Sequence, residues 1–428
     1  MVDRQYNACE NIDKQDEKFV PIITSLLDTD LYKLNMLRVF VNRFANINAT
    51  YEFKDRTGAF FTTDMICEIQ KQISHLCTLR FTEDEIAYIA NIYYHKEAKF
   101  FHEFLRLFKL NREYIKVVRG EMDGELSIVA KGPIWAVSMF EIYVLAIVNE
   151  VYFKYITNEH TIEWNNDRKS RGMQLLKQGL ASVQNIKEEF NFTDFGTRRR
   201  FSLSWQKYVI EQCLSAYHNN KGFNTRFRFV GTSNVMLARE FGITPIGTMA
   251  HEYIQLGQAL DNVTLSHSQK YMLQAWADEY RGDLGTALSD TLTTDYFLQH
   301  DFDKYFSKLF DGVRHDSGCP YKFADKMYHH YRKMGIDPMT KTIIYSDGLD
   351  FNSATEIAKY CEGKIKVAFG IGTKLTNNFA EFSEALNIVF KMVTANEKPV
   401  AKLSDADGKC MCKDENYLAY LRGIVAVN

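Results

Sequence analysis

GTMAHEY, residues 247–253, sets a histidine and a carboxylate side by side, His251 and Glu252, just past a strand-like run that ends at Gly247. A neutral imidazole is a nucleophile near pH 7, so an exposed histidine in such a loop is a candidate for phosphoryl or proton transfer. Glu252 could orient the ring or help bind Mg2+, or simply be a solvated residue at a helix start. Two more carboxylates, Asp290 in GTALSDT (285–291) and Asp316 in GVRHDSG (312–318), suit ribose hydroxyls or Mg2+, and salt bridges to nearby arginines would account for them equally. FGTRRR (195–200) places Arg198, Arg199 and Arg200 in succession, a costly cluster unless an anion or acidic partners neutralise it. Arg198 and Arg199, nearest the strand end, are the candidates to face a ligand, with Arg200 left to solvent. Arg314 adds a cation, and His315 reads as a satisfied structural histidine. Gly370, Gly372 and Thr373 in VAFGIGT (367–373) let backbone amides approach a phosphate, or form an ordinary turn. Ser346, Asp347 and Gly348 in TIIYSDG (342–348) repeat the pattern, and the pair strengthens the anion reading.

These residues need a scaffold that gathers them. With FTDFG (192–196) and FRFVGTSN (227–234) there are seven segments that begin apolar and end in Gly, Ser, Thr, Asp or His. Helix-length stretches separate most of them, and that alternation implies a parallel sheet. Polar residues at the C-terminal ends of parallel strands share one rim, where barrel active sites lie. An open doubly wound sheet would also alternate, but seven functional strand ends suit a closed or nearly closed barrel better. The expected fold is therefore α/β, an irregular barrel over residues 156–379. Residues 1–155 form an N-terminal α+β unit: a helix around 25–36 capped by Asp28 or Thr29, a strand at 49–54, and two strands around a turn at Asp123 and Gly124. On that helix Tyr32 and Met36 share a face, which core packing alone would explain. Residues 380–428 supply an antiparallel hairpin over 387–404, expected to pack on the N-terminal unit, and a short helical tail.

Composition narrows the function classes. The chain has 428 residues, 52 basic and 54 acidic side chains and a net charge of -2, so no bulk field argues for nucleic acid or a membrane surface. Eight cysteines at irregular spacing fit a reducing cytoplasm, and Cys410 and Cys412 lack the partners of a zinc site. Residues 1–20 read as a loosely held leader without a transit pattern. The most apolar stretch, 134–153, is broken by Glu141 and Glu150 and reads as a core helix. No P-loop or Rossmann glycine pattern is present, and Gln255 excludes a zinc-protease H-E-x-x-H at His251.

TSLLDTDLYKLNM, FGTRRR, GTSN, GTMAHEY, RHDSG, SDGLD, FGIGTKLTN and the LNIVFK...KLSD hairpin together resemble the nicotinate phosphoribosyltransferase family, over residues 24 to 415. The resemblance implies a type II phosphoribosyltransferase fold, with an N-terminal domain completed by C-terminal strands against an irregular barrel. It implies a ligase-type reaction: nicotinate and 5-phosphoribosyl 1-pyrophosphate give nicotinate mononucleotide and pyrophosphate, with coupled ATP hydrolysis and Mg2+, in NAD salvage. By similarity Tyr32 and Phe195 sandwich the pyridine ring, with Tyr32 supplied by the second subunit of a homodimer. Arg198, Thr232 and Ser233 hold the carboxylate. Asp290, Arg314 and Asp316 handle ribose, Mg2+ and pyrophosphate, and Arg199, Ser317, Gly348, Gly370, Gly372 and Thr373 serve the donor's phosphates. His251 corresponds to the histidine phosphorylated from ATP.

Cys319 stands where relatives have Asp, which could weaken a metal or pyrophosphate contact. In the related nicotinamide enzymes an acidic residue occupies the position of Ser233, so Ser233 favours the acid substrate. A phosphate-binding sensor on the same fold is the rival from another class; a phosphoryl-accepting histidine and paired aspartates argue against it.

Overall fold

The computed structural model describes residues 19–92, 99–220, 222–405 and 411–427. Residues 1–18 of the expected leader, and Cys410, lie outside them. β1 (Asn48–Asp55), β2 (Ile115–Arg119) and β3 (Leu126–Pro133) begin an antiparallel sheet. Ile115 and Val117 on β2, and Leu126, Ile128 and Ala130 on β3, are buried with more exposed residues between them, the period-two pattern of a sheet with one covered face.

The apolar stretch that follows forms the helices Ile134–Val137 and Phe140–Glu159. By length and composition it could cross a membrane, yet most of it is buried inside the protein, so it is a core helix. Its two interrupting acids are matched inside: Glu141 by Lys33 at 2.6 Å and Glu150 by Arg200 at 2.6 Å. Arg200 is not solvated but fully buried, and its guanidinium also grips Asp28 bidentately at 2.6 and 2.7 Å. Asp28 therefore caps nothing. The helix Leu31–Arg43 starts three residues later, with Asp30 at its N-cap and no side-chain cap bond. Removing one member of such a buried ion cluster strands the others, which typically costs about 3–5 kcal/mol.

Each of the seven segments supplies one strand: β4 (Phe190–Asp194), β5 (Phe227–Thr232), β6 (Thr244–Pro245), β7 (Thr286–Leu288), β8 (Gly312–His315), β9 (Thr342–Tyr345) and β10 (Lys366–Ile371). They pair in parallel in the order β6-β5-β4-β10-β9-β8-β7. Aromatic packing marks the covered faces: Phe190 stacks on Phe369 with centroids 5.0 Å apart, and Phe192 meets Phe229 at 5.1 Å. The sheet curls into an incomplete barrel whose edges are β6 and β7. Across that seam Thr248 Oγ1 donates to the Thr286 carbonyl at 3.2 Å.

β11 (Ile388–Ala395) leaves the barrel and pairs antiparallel with β1, Tyr51 opposite Met392, so the C-terminal region completes the first sheet. The second arm of the expected hairpin is shorter than the alternation suggested. β12 is only Lys398–Pro399, because Pro399 has no N–H to continue the ladder. Beyond it Ala401 exchanges two 2.8 Å bonds with the Gln258 side chain, and Leu403 N donates to the Thr291 carbonyl at 2.8 Å. The tail ends in the helix Glu415–Val427.

Candidate active site

The C-terminal rim of the barrel and the start of β11 enclose a cavity of roughly 730 Å³. His251 lines it, but neither in a loop nor exposed: it is the first residue of the helix His251–Leu256 and only 7% accessible. Its Nε2 lies 2.7 Å from Asp290 Oδ1, and Nδ1 lies 3.8 Å from Asp316 Oδ2. A carboxylate can only accept, so the bond to Asp290 assigns the proton to Nε2 and leaves the lone pair on Nδ1. Burial, reinforced by the Lys402 ammonium, lowers the imidazole's pKa against the pull of Asp290, so the ring is neutral near pH 7. His251 follows β6 and Asp290 follows β7, so their bond spans the seam of the barrel.

Asp290 does not reach the cavity wall; among the described lining residues Asp316 does and Asp290 does not. Ser317, expected at a phosphate, instead donates its hydroxyl to Asp290 Oδ2. Burial by itself would raise both aspartates. For Asp290 the contacts of His251 and Lys402, and for Asp316 those of Lys402 and Arg314, outweigh it and hold both well below the usual carboxylate range. The sequence reading missed Lys402 as an individual residue, although it lies in the KLSD part of the hairpin. Its Nζ sits 2.8 Å from Asp290 Oδ2 and 3.0 Å from Asp316 Oδ2. His251, Asp290 and Asp316 bring ligand atoms within 4.8 Å of one another. Two converging carboxylates have the right chemistry for Mg2+, and in this arrangement the Lys402 ammonium provides their positive charge.

Glu252 does stand in the first turn of the helix His251–Leu256, but it is buried rather than solvated. Its carboxylate turns toward the first sheet, accepting from Lys33 and from the Tyr51 hydroxyl, while Lys33 also pairs with Glu141. This buried network anchors the helix that carries His251.

The other end of the cavity holds Tyr32, Phe195, Arg198 and Ser233. Arg198 keeps its charge: burial opposes it, but Tyr32, Glu141, Asp316 and Asp30 favour the cation. Arg199 also lines the cavity, with its guanidinium tied to β11 through the Ile388 carbonyl at 2.7 and 2.9 Å. Thr232 is not among the described lining residues; its hydroxyl donates to Asp194 at 2.8 Å. Ser233 donates to Asp30 at 2.7 Å, and Asp30 is a cavity residue that the sequence reading did not single out within TSLLDTDLYKLNM. Burial lifts the Asp30 carboxyl to about 6 in spite of Ser233 and Arg198.

Gly348, Gly372 and Thr373 line the cavity at the adjacent ends of β9 and β10, with Arg314 and Ser346 beside them. Gly348 has φ +63°, a left-handed conformation that favours glycine. Arg314 donates to Ser346 Oγ at 2.7 Å and to Asp316 Oδ1 at 3.0 Å. Gly370 is not among the described lining residues; a Cβ there would stand 2.2 Å from the Phe195 ring, so glycine makes room for that aromatic. His315 is buried between Phe323 and Tyr345, at 4.9 and 5.2 Å, in keeping with a structural role. Cys319 is exposed at the N-cap of the helix Pro320–Lys333 and makes no cap bond. An aspartate there would cap the helix, an effect of about 1 kcal/mol.

Tyr32 and Phe195 line one cavity of one chain, so the aromatic pair is complete there without a residue from a second subunit. Mixing Tyr32→Ala with Asp316→Ala chains should therefore restore no activity, because each hybrid cavity still carries one lesion. Recovered turnover after demonstrated subunit exchange would show that Tyr32 reaches across.

A curled parallel sheet with arginines, glycine turns and a histidine-aspartate pair on its C-terminal rim defines an α/β-barrel protein built to hold a multiply anionic ligand. The nicotinate phosphoribosyltransferase (NAPRTase) family matches residues 190–427, and the family's N-terminal domain matches residues 27–149. The chain belongs to this family. It is 47% identical over 410 residues to the nicotinate phosphoribosyltransferase of Acinetobacter baylyi, covering 95% of this chain and 97% of the relative. It is 45% identical over 409 residues to that of Neisseria gonorrhoeae, covering 95% and 98%. The crystal structure of nicotinate phosphoribosyltransferase from Vibrio cholerae superposes with a TM-score of 0.85 at 36% identity, covering 95% of this chain and 94% of the other. That from Porphyromonas gingivalis gives 0.82 at 31%, covering 94% and 100%.

Proposed function

We propose that this chain joins nicotinate to 5-phosphoribosyl 1-pyrophosphate, releasing nicotinate mononucleotide and pyrophosphate, and couples the reaction to ATP hydrolysis through a phosphohistidine at His251. The observation that carries this reading is that one cavity holds a cation beside two aromatic rings, glycine turns beside an arginine, and a neutral histidine bonded to aspartate. Its relatives' names support the substrate class. Tyr32 and Phe195 clasp the pyridine ring, Arg198 binds its carboxylate, and the ring nitrogen attacks the anomeric carbon as pyrophosphate departs. Gly348, Gly372 and Thr373 hold the 5-phosphate, and Arg314 and Lys391, both on the cavity wall, offset the charge of the leaving group. Asp316, with Asp290 behind it, would hold Mg2+, whose charge favours departure of pyrophosphate. In the coupled step His251 Nδ1 attacks the γ-phosphorus of ATP, an N–P bond forms, and the bond to the bridging oxygen breaks to release ADP. Asp290 keeps the Nε2 proton and balances the positive ring; water later takes the phosphoryl group. A cytoplasmic homodimer belongs to the same reading, with each cavity furnished by one chain.

Incubating the protein with Mg2+, ATP, the ribosyl donor and either nicotinate or nicotinamide, then weighing the products, tests the reaction. Nicotinate mononucleotide is expected; nicotinamide mononucleotide alone would reverse the substrate assignment. The pH dependence follows from Asp30. Its carboxyl is protonated below about 6 and ionised above, and the anion repels a nicotinate carboxylate held at the nearby Arg198. Nicotinate affinity should thus fall as pH rises through 6 and level off above 7, by on the order of tenfold. In Asp30→Asn the affinity should stay flat over that range; an unaltered profile would place Asp30 away from the bound carboxylate.

A further inference from the structure

Lys402 lies 86 residues beyond Asp316 in the chain, yet its ammonium is one of the best-placed groups in the site. It touches Asp290 Oδ2 at 2.8 Å and Asp316 Oδ2 at 3.0 Å. Its backbone is held on both sides. Ala401 is clamped by Gln258, and Leu403 bonds to the carbonyl of Thr291, the residue after Asp290. Farther on, Asp405 N donates to Ser317 Oγ, and the Asp405 carboxylate accepts from the backbone and hydroxyl of Thr294. A fixed backbone delivers this cation, so its position is a feature of the fold rather than one pose of a loose surface lysine.

We propose that Lys402 is a built-in counter-cation that occupies the position a divalent ion would take at Asp290 and Asp316, so that the ion binds only when the ammonium swings aside. The inference rests on the metal assignment above and goes beyond it. With Arg314 on the other oxygen of Asp316 and Lys402 on both aspartates, the two carboxylates are already balanced by two cations. A divalent ion added beside them would leave an uncompensated excess of positive charge, and Lys402 is the cation in contact with both aspartates. Polyphosphate brings its own negative charge and gives the displaced ammonium an acceptor. The free protein therefore resists the divalent ion, and the ion enters together with pyrophosphate or a triphosphate. Binding order is thus set by a lysine that belongs to the C-terminal segment, not to the barrel.

Mn2+ binding, measured by the loss of the free-ion paramagnetic signal with no nucleotide present, tests this directly. Wild type should bind Mn2+ weakly, Lys402→Met at least tenfold more tightly, and Lys402→Arg no more tightly than wild type. Adding Asp316→Asn to Lys402→Met should remove the gain, which locates the ion. Thermal melting gives an independent readout: Lys402→Met should melt lower than wild type without metal and recover on adding Mn2+, whereas wild type should scarcely respond. If Lys402→Met binds Mn2+ no better than wild type, the counter-cation role is wrong. If none of the proteins binds Mn2+ even with pyrophosphate present, the metal assignment itself fails, and this inference fails with it.

Discussion

Replacing His251 by Asn should abolish nicotinate-dependent ATP hydrolysis while leaving slow, ATP-independent formation of the mononucleotide. Asparagine can still accept or donate near Asp290, so the seam of the barrel stays bridged, but it has no nucleophilic ring nitrogen. The expected loss is complete for phosphoryl transfer because the neighbouring carboxylates are already engaged: Glu252 by Lys33 and Tyr51, and Asp316 by Arg314 and Lys402. Wild type incubated with γ-labelled ATP should acquire an acid-labile, alkali-stable label that is missing from the variant. Coupling requires the phosphorylated form to bind substrate better, and a tenfold gain needs only about 1.4 kcal/mol of differential interaction. One new contact between the phosphoryl group and Lys402 or Arg314 is of that size. Label that persists at full stoichiometry in the Asn variant would move the acceptor elsewhere.

Arg198→Ala should lower kcat/KM for nicotinate by about 10²- to 10³-fold, the equivalent of roughly 2.7–4 kcal/mol. The magnitude reflects two effects of one sign. The charge-assisted bond to the carboxylate disappears, and the anion is then left beside Asp30 without its bonded cation. Nicotinamide carries no charge at that group, so its turnover should fall far less, and the ratio between the two substrates is the diagnostic quantity. An equal fall for both would assign Arg198 to the ribosyl donor, a role already open to Arg314. Arg199→Ala should not mimic it, because that guanidinium is spent on the Ile388 carbonyl and holds β11 in place.

Much of the scaffold was legible because its signals are local. A strand that ends in Gly, Ser, Thr or Asp shows itself within about eight residues, and six barrel strands overlap such segments while β6, Thr244–Pro245, stops two residues short of Gly247. Alternation with helices sufficed for a parallel sheet, and two adjacent glycine turns sufficed for an anion site. Local patterns could not rank three consecutive arginines: Arg198 and Arg199 meet the cavity while Arg200 is buried on Asp28, a partner 172 residues away. Nor could they distinguish Gly370, which clears space for Phe195, from Gly372, which lines the cavity. Lys402 and Asp30 lie within quoted stretches, but nothing local marks them out as site residues, and they enter the site through the C-terminal segment and the Ser233 contact. Strand order and curl decide these matters, and both depend on contacts far apart in the chain. β6 and β7 are consecutive in sequence yet stand at opposite edges of the sheet. Only the curl of the barrel returns one edge to the other, and so places His251 within 2.7 Å of Asp290.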